Sequence, residues 1–312
     1  MNLQQLEYIV ALDAHRHFAK AAEQCFVTQP TLSMMIGKLE EEVGVKIFDR
    51  SRQPVVPTLA GTALIAQARV ILREAERFKE IGLEQESSLK GDLRIGIIPT
   101  LSPYLLPLFL QSFMENYPEI RLRISERTTS VLIEDMHKGL LDAAILVTPL
   151  NDATLREDTL FYEAFVVYSG QDYHKEYLLP EDIDLSRLWL LEEGHCFRSQ
   201  IMNICELRQQ NHRSVEYEAG SLETLKQLAD AQNGITILPE LATGYLTASQ
   251  LKKVKRFVAP EPVREVSLVT HRYLVKQRLV EALKSEILAH LPADKVREKS
   301  AGRVPIGQKA GK

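Results

Sequence analysis

The stretch that decides the fold of the N-terminal region is FAKAAEQCFVTQPTLSMMIGKLEEEVGVKIFDR, residues 18–50. Its apolar residues recur every three or four positions, which predicts two consecutive amphipathic helices. Thr28 is a good N-cap for the second helix, Pro30 suits its first turn, and Gly44 is suited to end it. The same periodicity over residues 3–12 predicts a helix before them. The sequence therefore predicts a small bundle of three helices.

The outward face of the last of these helices is polar near its N-terminus, where short polar groups suit phosphates and base edges in a major groove. The following segment, VKIFDRSRQPVVPT, predicts a short hairpin, or wing, with arginines near its tip. Any small helical bundle has apolar residues at this spacing, so periodicity alone does not decide whether the domain binds DNA. The candidate DNA-contacting residues are Thr28, Gln29, Pro30, Thr31, Ser33, Met34, Lys38, Arg50 and Arg52.

These 33 residues resemble the winged helix-turn-helix of LysR-type transcriptional regulators, in the N-terminal position expected for that family. The resemblance implies that the chain binds double-stranded promoter DNA and regulates transcription together with RNA polymerase. Two positions depart from the pattern, because Met35 and Gly37 stand where many members have Gln and Arg. Cys25 lies on the apolar face of its helix, where a small core residue is expected.

The charge of the chain excludes a protein that binds nucleic acid through bulk positive charge. The formal net charge is -4, and residues 1–64 contain six basic and seven acidic side chains. Affinity for DNA must therefore come from the local placement of a few groups and from several copies of the domain.

A long helix is predicted from Thr58 to about residue 86. Its apolar positions are spaced alternately by four and three residues, as in a coiled-coil seam that could join two chains or pack on its own chain. The family resemblance favours a homodimer, and implies a homotetramer assembled from two dimers. The seam positions are Leu64, Ala68, Ile71, Ala75 and Phe78.

Behind this helix the pattern alternates between strand and helix. LRIGIIP, IRLRIS and DAAILV, with helices between them, predict a parallel βαβαβ unit. Further predicted strands are EAFVVYS, LWLLEE, SVEYEA, GITILP and REVSLVTH. Their number indicates two α/β lobes with a cleft between them, and ligands are expected at the carboxyl ends of the strands. The resemblance implies a regulatory domain of periplasmic-binding-protein type whose chain crosses between lobes near residues 161 and 268.

The predicted fold class is therefore α/β multidomain: a winged helix-turn-helix, a linker helix and a two-lobed regulatory domain. The absence of a long apolar run or a cleavable leader pattern favours a cytoplasmic protein without a membrane partner. The last nineteen residues are polar and basic, which predicts disorder. The predicted boundaries are 1–58 for the DNA-binding domain, 59–90 for the linker, 91–293 for the regulatory domain (lobe I 91–161 and 269–293, lobe II 162–268), and 294–312 for the tail.

Two of the three cysteines lie in the segment LLEEGHCFRSQIMNIC, residues 190–205. If the segment from Cys196 is helical, nine residues separate the two sulfurs by a rise of about 13 Å and place them on opposite faces. A disulfide needs Cα atoms about 4.4 to 6.8 Å apart, so Cys196 and Cys205 can join only if the helix unwinds. His195, Arg198 and the helix N-terminus are expected to favour a Cys196 thiolate.

The string GHC-x-R-x-Q-x-M-x-x-C resembles the redox switch of the hydrogen-peroxide-sensing members of the LysR family. IPTLSPYLLP and EAGSLETLKQLADAQNGITILP resemble further signatures of their regulatory domains. The resemblance implies hydrogen peroxide as the signal, antioxidant genes as targets, and a thioredoxin- or glutaredoxin-type reductant as a partner. No cofactor is expected. It makes Cys196 the peroxidatic cysteine and Cys205 its resolving partner. Residues implied at the peroxide or around the thiolate are Thr100, Thr129, His195 and Arg198, with Arg272 or His271 in place of a family arginine.

Three alternatives to a peroxide switch are open from the residues. The chain could be a LysR-type regulator that binds a small metabolite between its lobes, with incidental cysteines. It could be a thiol peroxidase, since an activated thiolate with a resolving cysteine is also a peroxidase centre, although a DNA-binding module argues against an enzyme. It could be a metal sensor, but His195, Cys196 and Cys205 on one helix do not converge on a tetrahedral ion, so no metal is expected.

Overall fold

The computed structural model describes residues 1–83, 89–170, 175–192, 194–205, 220–294, 296 and 302–306. The chain divides into two compact units, of which the first is formed mainly by Met1–Ser88 and the second begins at Leu89. Within the described ranges, no helix is both long and apolar enough to cross a membrane.

The first unit begins with a three-helix bundle. Asn2 and Gln5 form a reciprocal capping box at its start, and the Thr28 side chain accepts a hydrogen bond from the backbone N–H of Thr31. Gly44 ends the bundle in the left-handed conformation, with φ 72°. The predicted start and end of the last helix of this bundle are therefore confirmed. The helices are α1 (Leu3–His15), α2 (Phe18–Gln24) and α3 (Gln29–Val43).

A two-stranded wing and a long helix complete the first unit. Strands β1 (Phe48–Asp49) and β2 (Val56–Pro57) pair antiparallel, as predicted for the hairpin. They lead into α4 (Leu59–Leu83). The first half of the α4 seam packs on the bundle of its own chain, with Ala68 buried in that core. Phe78, further along the same seam, is 80% exposed.

The second unit opens with the predicted βαβαβ arrangement. Its three strands run parallel, with β3 between the other two. Gly96 in β3 leaves no room for a side chain, because an added Cβ would run into the side chain of Leu132. This close contact lets a helix pack directly on the sheet. The elements are β3 (Gly91–Ile97), α5 (Ser102–Asn116), β4 (Ile120–Glu126), α6 (Thr129–His137) and β5 (Ala143–Thr148).

Two long antiparallel strands, β6 (Leu155–Ser169) and β10 (Val263–His271), carry the chain between the lobes. β10 pairs with β5 in the first lobe, while the far half of β6 pairs with two strands of the second lobe. The two-lobed α/β class is confirmed, and the predicted crossings near residues 161 and 268 fall within these strands. The remaining elements are β7 (Tyr177–Leu178), α7 (Cys196–Ile204), α8 (Leu222–Ala231), β8 (Ile235–Pro239), α9 (Ala248–Leu251), β9 (Val254–Phe257) and α10 (Gln277–Ala289).

Two predicted segments differ in the structure, and one cannot be compared. The described part of LWLLEE, residues 188–192, forms no continuous strand: it has isolated bridges at Leu188, which pairs with Ile235 of β8, and at Leu191. Most of the predicted tail lies outside the described residues, but in its described part, residues 302–306, Val304 is buried and residue 303 pairs in parallel with Val263 of β10. Average composition predicted disorder there, but one buried valine and a short backbone pairing are enough to dock a segment beside a sheet. SVEYEA lies outside the described residues.

Candidate functional site

Cys196 is the first residue of α7, and its thiol is buried and unbonded to another cysteine. The next residue, Phe197, is fully buried between two groups. Its ring centroid lies 5.2 Å from that of Phe165 and 5.1 Å from the guanidinium carbon of Arg264. The N-terminus of α7 is therefore fixed into the core rather than laid on the surface.

Arg264 belongs to a buried polar cluster beside this helix. It stands directly opposite Glu163 in the pairing of β10 with β6, and its Nε donates to Glu163 Oε2 at 2.8 Å. Its Nη1 donates to Thr100 Oγ1 at 3.0 Å, and its Nη2 to the Thr100 carbonyl oxygen at 3.2 Å. Because the Thr100 oxygen accepts from the guanidinium, its own hydroxyl proton can be donated elsewhere.

The electrostatic surroundings of Cys196 contain opposing effects. Burial raises the pKa of the thiol, whereas the hydroxyl of Thr129, the charge of Arg264 and the backbone N–H of Phe197 lower it. Burial dominates, so the pKa is above its usual range and the resting group is a neutral thiol. The Thr129 hydroxyl oxygen is buried and lacks a hydrogen-bonding partner with satisfactory geometry among the described residues. Groups that would stabilise a negative charge on the Cys196 sulfur are therefore present, although the resting thiol is neutral.

The predicted residues around Cys196 are only partly brought together. Thr129 acts directly on the thiol, and Thr100 joins the cluster through Arg264. His195 is buried, with Nε2 3.5 Å from Glu192 Oε1. Arg198 instead donates from Nη1 to the carbonyl oxygen of Leu191 at 2.7 Å, so it holds the loop before α7.

The sequence-based choice of Arg272 needs correction. Arg272 is exposed beyond the end of β10, where its backbone N–H donates to the Thr154 carbonyl at 2.9 Å. The arginine whose charge acts on the cysteine is Arg264, eight positions earlier and inside β10. A signal for it existed, because a charged residue in a strand buried on both faces needs a partner, and EAFVV offers Glu163. The strand register that joins the two was not readable from the sequence.

Cys205 caps the C-terminal end of α7 and has a different environment. Burial alone raises its pKa to about 12. Since α7 is helical from Cys196 to Ile204, the two sulfurs belong to residues separated by a rise of about 13 Å, too far for a disulfide. The expectation of a helix between the cysteines is confirmed. Among the described residues, no three His, Cys, Asp or Glu side chains cluster as a metal site would require.

The candidate DNA surface lies on α3 and the wing of the first unit. Arg50 is fixed there by three contacts: its Nη1 donates to Ser33 Oγ at 3.1 Å, its Nη2 to Glu40 Oε2 at 3.3 Å, and its guanidinium carbon lies 5.4 Å from the centre of the Phe18 ring. Arg52 pairs with Asp49 at 3.2 Å. Of the predicted contacts, Thr31 and Ser33 are half-buried, and the exposed ones are Thr28, Gln29, Pro30, Met34, Lys38, Arg50 and Arg52.

Glu40 is the residue of this surface that sequence reasoning missed. Burial works against its charge, but the backbone N–H groups of Ile47 and Phe48, together with Lys46 and Arg50, lower its pKa below the usual range. An ionised Glu40 therefore ties the wing to α3. Met35, one of the two positions that depart from the family pattern, packs against the core of the unit.

Comparisons with known proteins agree on both units. Residues 3–62 match the family described as bacterial regulatory helix-turn-helix protein, lysR family, and residues 86–292 match the LysR substrate binding domain. The chain is 36% identical over 306 residues to the DNA-binding transcriptional dual regulator OxyR of Escherichia coli, covering 95% of this chain and 98% of that one.

Two solved structures are similar over most of the chain. A full-length OxyR cysteine-to-aspartate variant from Pseudomonas aeruginosa has a TM-score of 0.81 at 32% identity, covering 96% of this chain and 98% of that one. A cysteine-to-serine variant of Corynebacterium glutamicum OxyR, solved with hydrogen peroxide bound, has a TM-score of 0.58 at 28% identity, covering 93% of this chain and 92% of that one.

Proposed function

This chain belongs to the LysR family of bacterial transcriptional regulators, and from that premise we propose that it is an activator that senses hydrogen peroxide. Oxidation would join Cys196 to Cys205 reversibly and change how the protein engages promoter DNA, which activates antioxidant genes. The observation that carries the proposal is the buried thiol of Cys196, with Thr129 and Arg264 beside it, at one end of a helix whose other end holds Cys205.

The first step is oxidation of Cys196. The thiol transfers its proton to the departing oxygen, the sulfur attacks the nearer peroxide oxygen, and the O–O bond breaks to give a sulfenic acid and water. The reacting sulfur gains thiolate character as it attacks, and the Arg264 charge and Thr129 hydroxyl stabilise that charge where it develops. Thr100 has a hydroxyl proton free to hydrogen-bond the peroxide, and buried His195 lies next to the cysteine.

The second step couples chemistry to conformation. Cys205 displaces the hydroxyl of the sulfenic acid, which forms the S–S bond and releases a second water. Because α7 holds the two residues about 13 Å apart along its axis, the segment between them must leave the helix before the sulfurs meet. A thioredoxin- or glutaredoxin-type dithiol would reverse the reaction by exchange. The disulfide therefore acts as a switch between two folds of one segment.

DNA binding is assigned to α3 and the wing. Arg50, fixed by Glu40 beside α3, and exposed Lys38 supply positive charge near polar groups suited to base edges. With little net charge in residues 1–64, one copy should bind weakly, so the operator must be read by several copies. Exposed Phe78 on α4 offers an apolar contact for a second chain, which supports a dimer. Tetramers and contact with RNA polymerase are inferred from the family alone.

Mass spectrometry tests the switch directly. Purified protein treated with a small molar excess of hydrogen peroxide should lose two hydrogens and link the peptides that contain Cys196 and Cys205. The Cys205→Ser variant should instead hold a sulfenic acid at Cys196 that a dimedone-type reagent traps. If oxidation is slow and scattered over methionines and all three cysteines, the chain is a regulator of another kind, such as one that binds a metabolite between its lobes.

A further inference from the structure

A short segment near the C-terminus, residues 302–306, docks on the second unit and is called here the C-terminal strap. The Val263 N–H donates to the Gly302 carbonyl at 3.0 Å, and the Val304 N–H donates to the Val263 carbonyl at 2.9 Å. Arg303 pairs with Glu265 of β10 at 2.8 Å. The strap therefore lies alongside the first residues of β10, where β5 no longer covers that strand.

The strap also accepts hydrogen bonds from two side chains of α7. Gln200 is fully buried and donates from Nε2 to the Val304 carbonyl oxygen at 3.0 Å. Asn203, one helical turn later on the same face, donates from Nδ2 to the Pro305 carbonyl oxygen at 3.0 Å. Both amides lie between Cys196 and Cys205, in the segment that must change shape for those cysteines to meet.

These contacts depend on α7 being a helix. Two amides three residues apart reach neighbouring carbonyls of an extended strap only while the helical turn between them persists. If the segment unwinds, both hydrogen bonds are lost, and the strap carbonyls must find other donors. The strap therefore favours the helical segment over any conformation in which the two sulfurs are in bonding range.

The strap is also weakly enough held to be displaced. A cleft of about 300 Å³ borders it, lined in part by Asn203, Ile204 and Phe257, so it is not closely packed along its length. The Arg303 side chain is about one third exposed, and such ion pairs contribute little. Its attachment rests mainly on buried Val304 and a few hydrogen bonds.

We propose that the C-terminal strap is a positioning element that stabilises the helical, dithiol form of α7 and so sets how readily the Cys196–Cys205 disulfide forms. This inference rests on the redox switch proposed above. The hydrogen bonds between α7 and the strap come from Gln200 and Asn203, so the strap acts on the closing of the disulfide and not on the first reaction of Cys196 with peroxide. Loss of two hydrogen bonds to α7 should favour the disulfide by about tenfold or more. For a two-electron couple, that tenfold change is a reduction potential about 30 mV more negative.

Two shortened chains test this proposal as a matched pair. One ends at Ala301 and lacks the strap, and the other ends at Ile306 and keeps it. Each is equilibrated in glutathione buffers of known ratio, in which oxidised glutathione takes two electrons and two protons from the dithiol and gives two molecules of reduced glutathione. The fraction of disulfide is read by mass spectrometry. We expect the reduction potential of the Cys196–Cys205 pair to be about 30 mV more negative in the shorter chain than in the full chain. The longer chain should have the same potential as the full chain.

A point substitution guards against misfolding of the shortened chain. Gly302 has φ +83°, and an added Cβ would run into the carbonyl oxygen of Glu261, so Gly302→Ala should dislodge the strap without altering any residue of α7 itself. Gly311→Ala, beyond the strap, is its control. Equal potentials for all these chains, or a strapless chain that is harder to oxidise, would overturn the proposal.

Two further measurements separate this proposal from the switch itself. In the Cys205→Ser background, removal of the strap should leave the rate of sulfenic acid formation at Cys196 unchanged; a changed rate refutes the assignment to disulfide closing. Amide hydrogen exchange of residues 197–205 in the reduced chain should be about tenfold faster without the strap. Unchanged exchange would refute the proposed role of the strap, whether or not a disulfide forms. If exchange becomes faster without the strap but no chain forms the disulfide, the proposed redox switch is refuted and the role of the strap is retained.

Discussion

The two ends of α7 carry the same functional group in opposite settings. At the N-terminal end, a hydroxyl, a guanidinium and a backbone N–H all oppose the effect of burial on the Cys196 thiol. At the C-terminal end, burial acts alone and raises the pKa of Cys205 to about 12. The two cysteines at the ends of α7 are therefore not interchangeable.

This difference sets an order of events. Groups that stabilise negative charge near Cys196 lower the barrier to its oxidation, while Cys205 has no comparable support and stays protonated. Cys205 gains access to the sulfenic acid only when the helix opens. One end of α7 is thus suited to react, and the other to remain protected until the fold changes.

The largest expected effect is complete loss of the peroxide response in Cys196→Ser. A serine hydroxyl is not oxidised by peroxide, so no disulfide can form, while DNA binding by the reduced protein should persist. RNA sequencing of cells carrying each variant, with and without hydrogen peroxide, measures the response. Cys25→Ser is the control, because that thiol packs against the core of the first unit. A Cys196→Ser protein that still responds would show that the two ends of α7 do not form the switch.

A second prediction concerns the pH dependence of Cys205. With a pKa near 12 in place of 9.0, its thiolate fraction at pH 8 should be about a thousandfold lower than in unfolded chain. Alkylation of Cys205 in the Cys196→Ser variant should therefore be about that much slower than in urea. Because the pKa is raised, the rate should climb about tenfold per pH unit well above pH 9. An alkylation rate that stops rising near pH 9 would mean that Cys205 ionises as readily as an exposed thiol.

A smaller effect is expected from Arg264→Lys, which keeps the positive charge but loses the paired hydrogen bonds to Glu163 and Thr100. Formation of the Cys196 sulfenic acid, measured by trapping in the Cys205→Ser background, should slow by about ten to a hundredfold. Arg272→Lys serves as the matched control and should have no effect. If Arg272→Lys slows sulfenic acid formation and Arg264→Lys does not, Arg272 is the arginine that acts on Cys196, as the sequence had suggested. Thermal unfolding should show that both variants are folded.

The smallest effect is expected from Arg198→Met. This guanidinium donates to the Leu191 carbonyl, so its removal should change the rate of Cys196 oxidation by less than about threefold. The same trapping experiment measures it. A decrease of tenfold or more in the oxidation rate would mean that the Arg198 charge stabilises the Cys196 thiolate. Arg198 would then belong to the groups that support Cys196.

Local patterns in the sequence predicted much of this molecule. Helix α3 between Thr28 and Gly44, the wing, the βαβαβ unit and the helical spacing of the cysteines all depend on periodicity and caps within short windows. Predictions failed where pairing over long distances decides the outcome. Among the described residues, LWLLEE was predicted to be a strand but forms only isolated bridges at Leu188 and Leu191, and residues 302–306, predicted to be disordered, dock on β10.

The sequence by itself determined the N-terminal helices, the βαβαβ order that opens the second unit, and a cysteine pair that a helix keeps apart, because each is a property of neighbouring residues. Only the tertiary structure decided which groups surround Cys196. Arg264 meets a threonine 164 positions away because the register of β6 and β10 fixes where that buried charge lies. The helix that must open for the switch is likewise held by carbonyls about a hundred residues further along, which no local pattern could reveal.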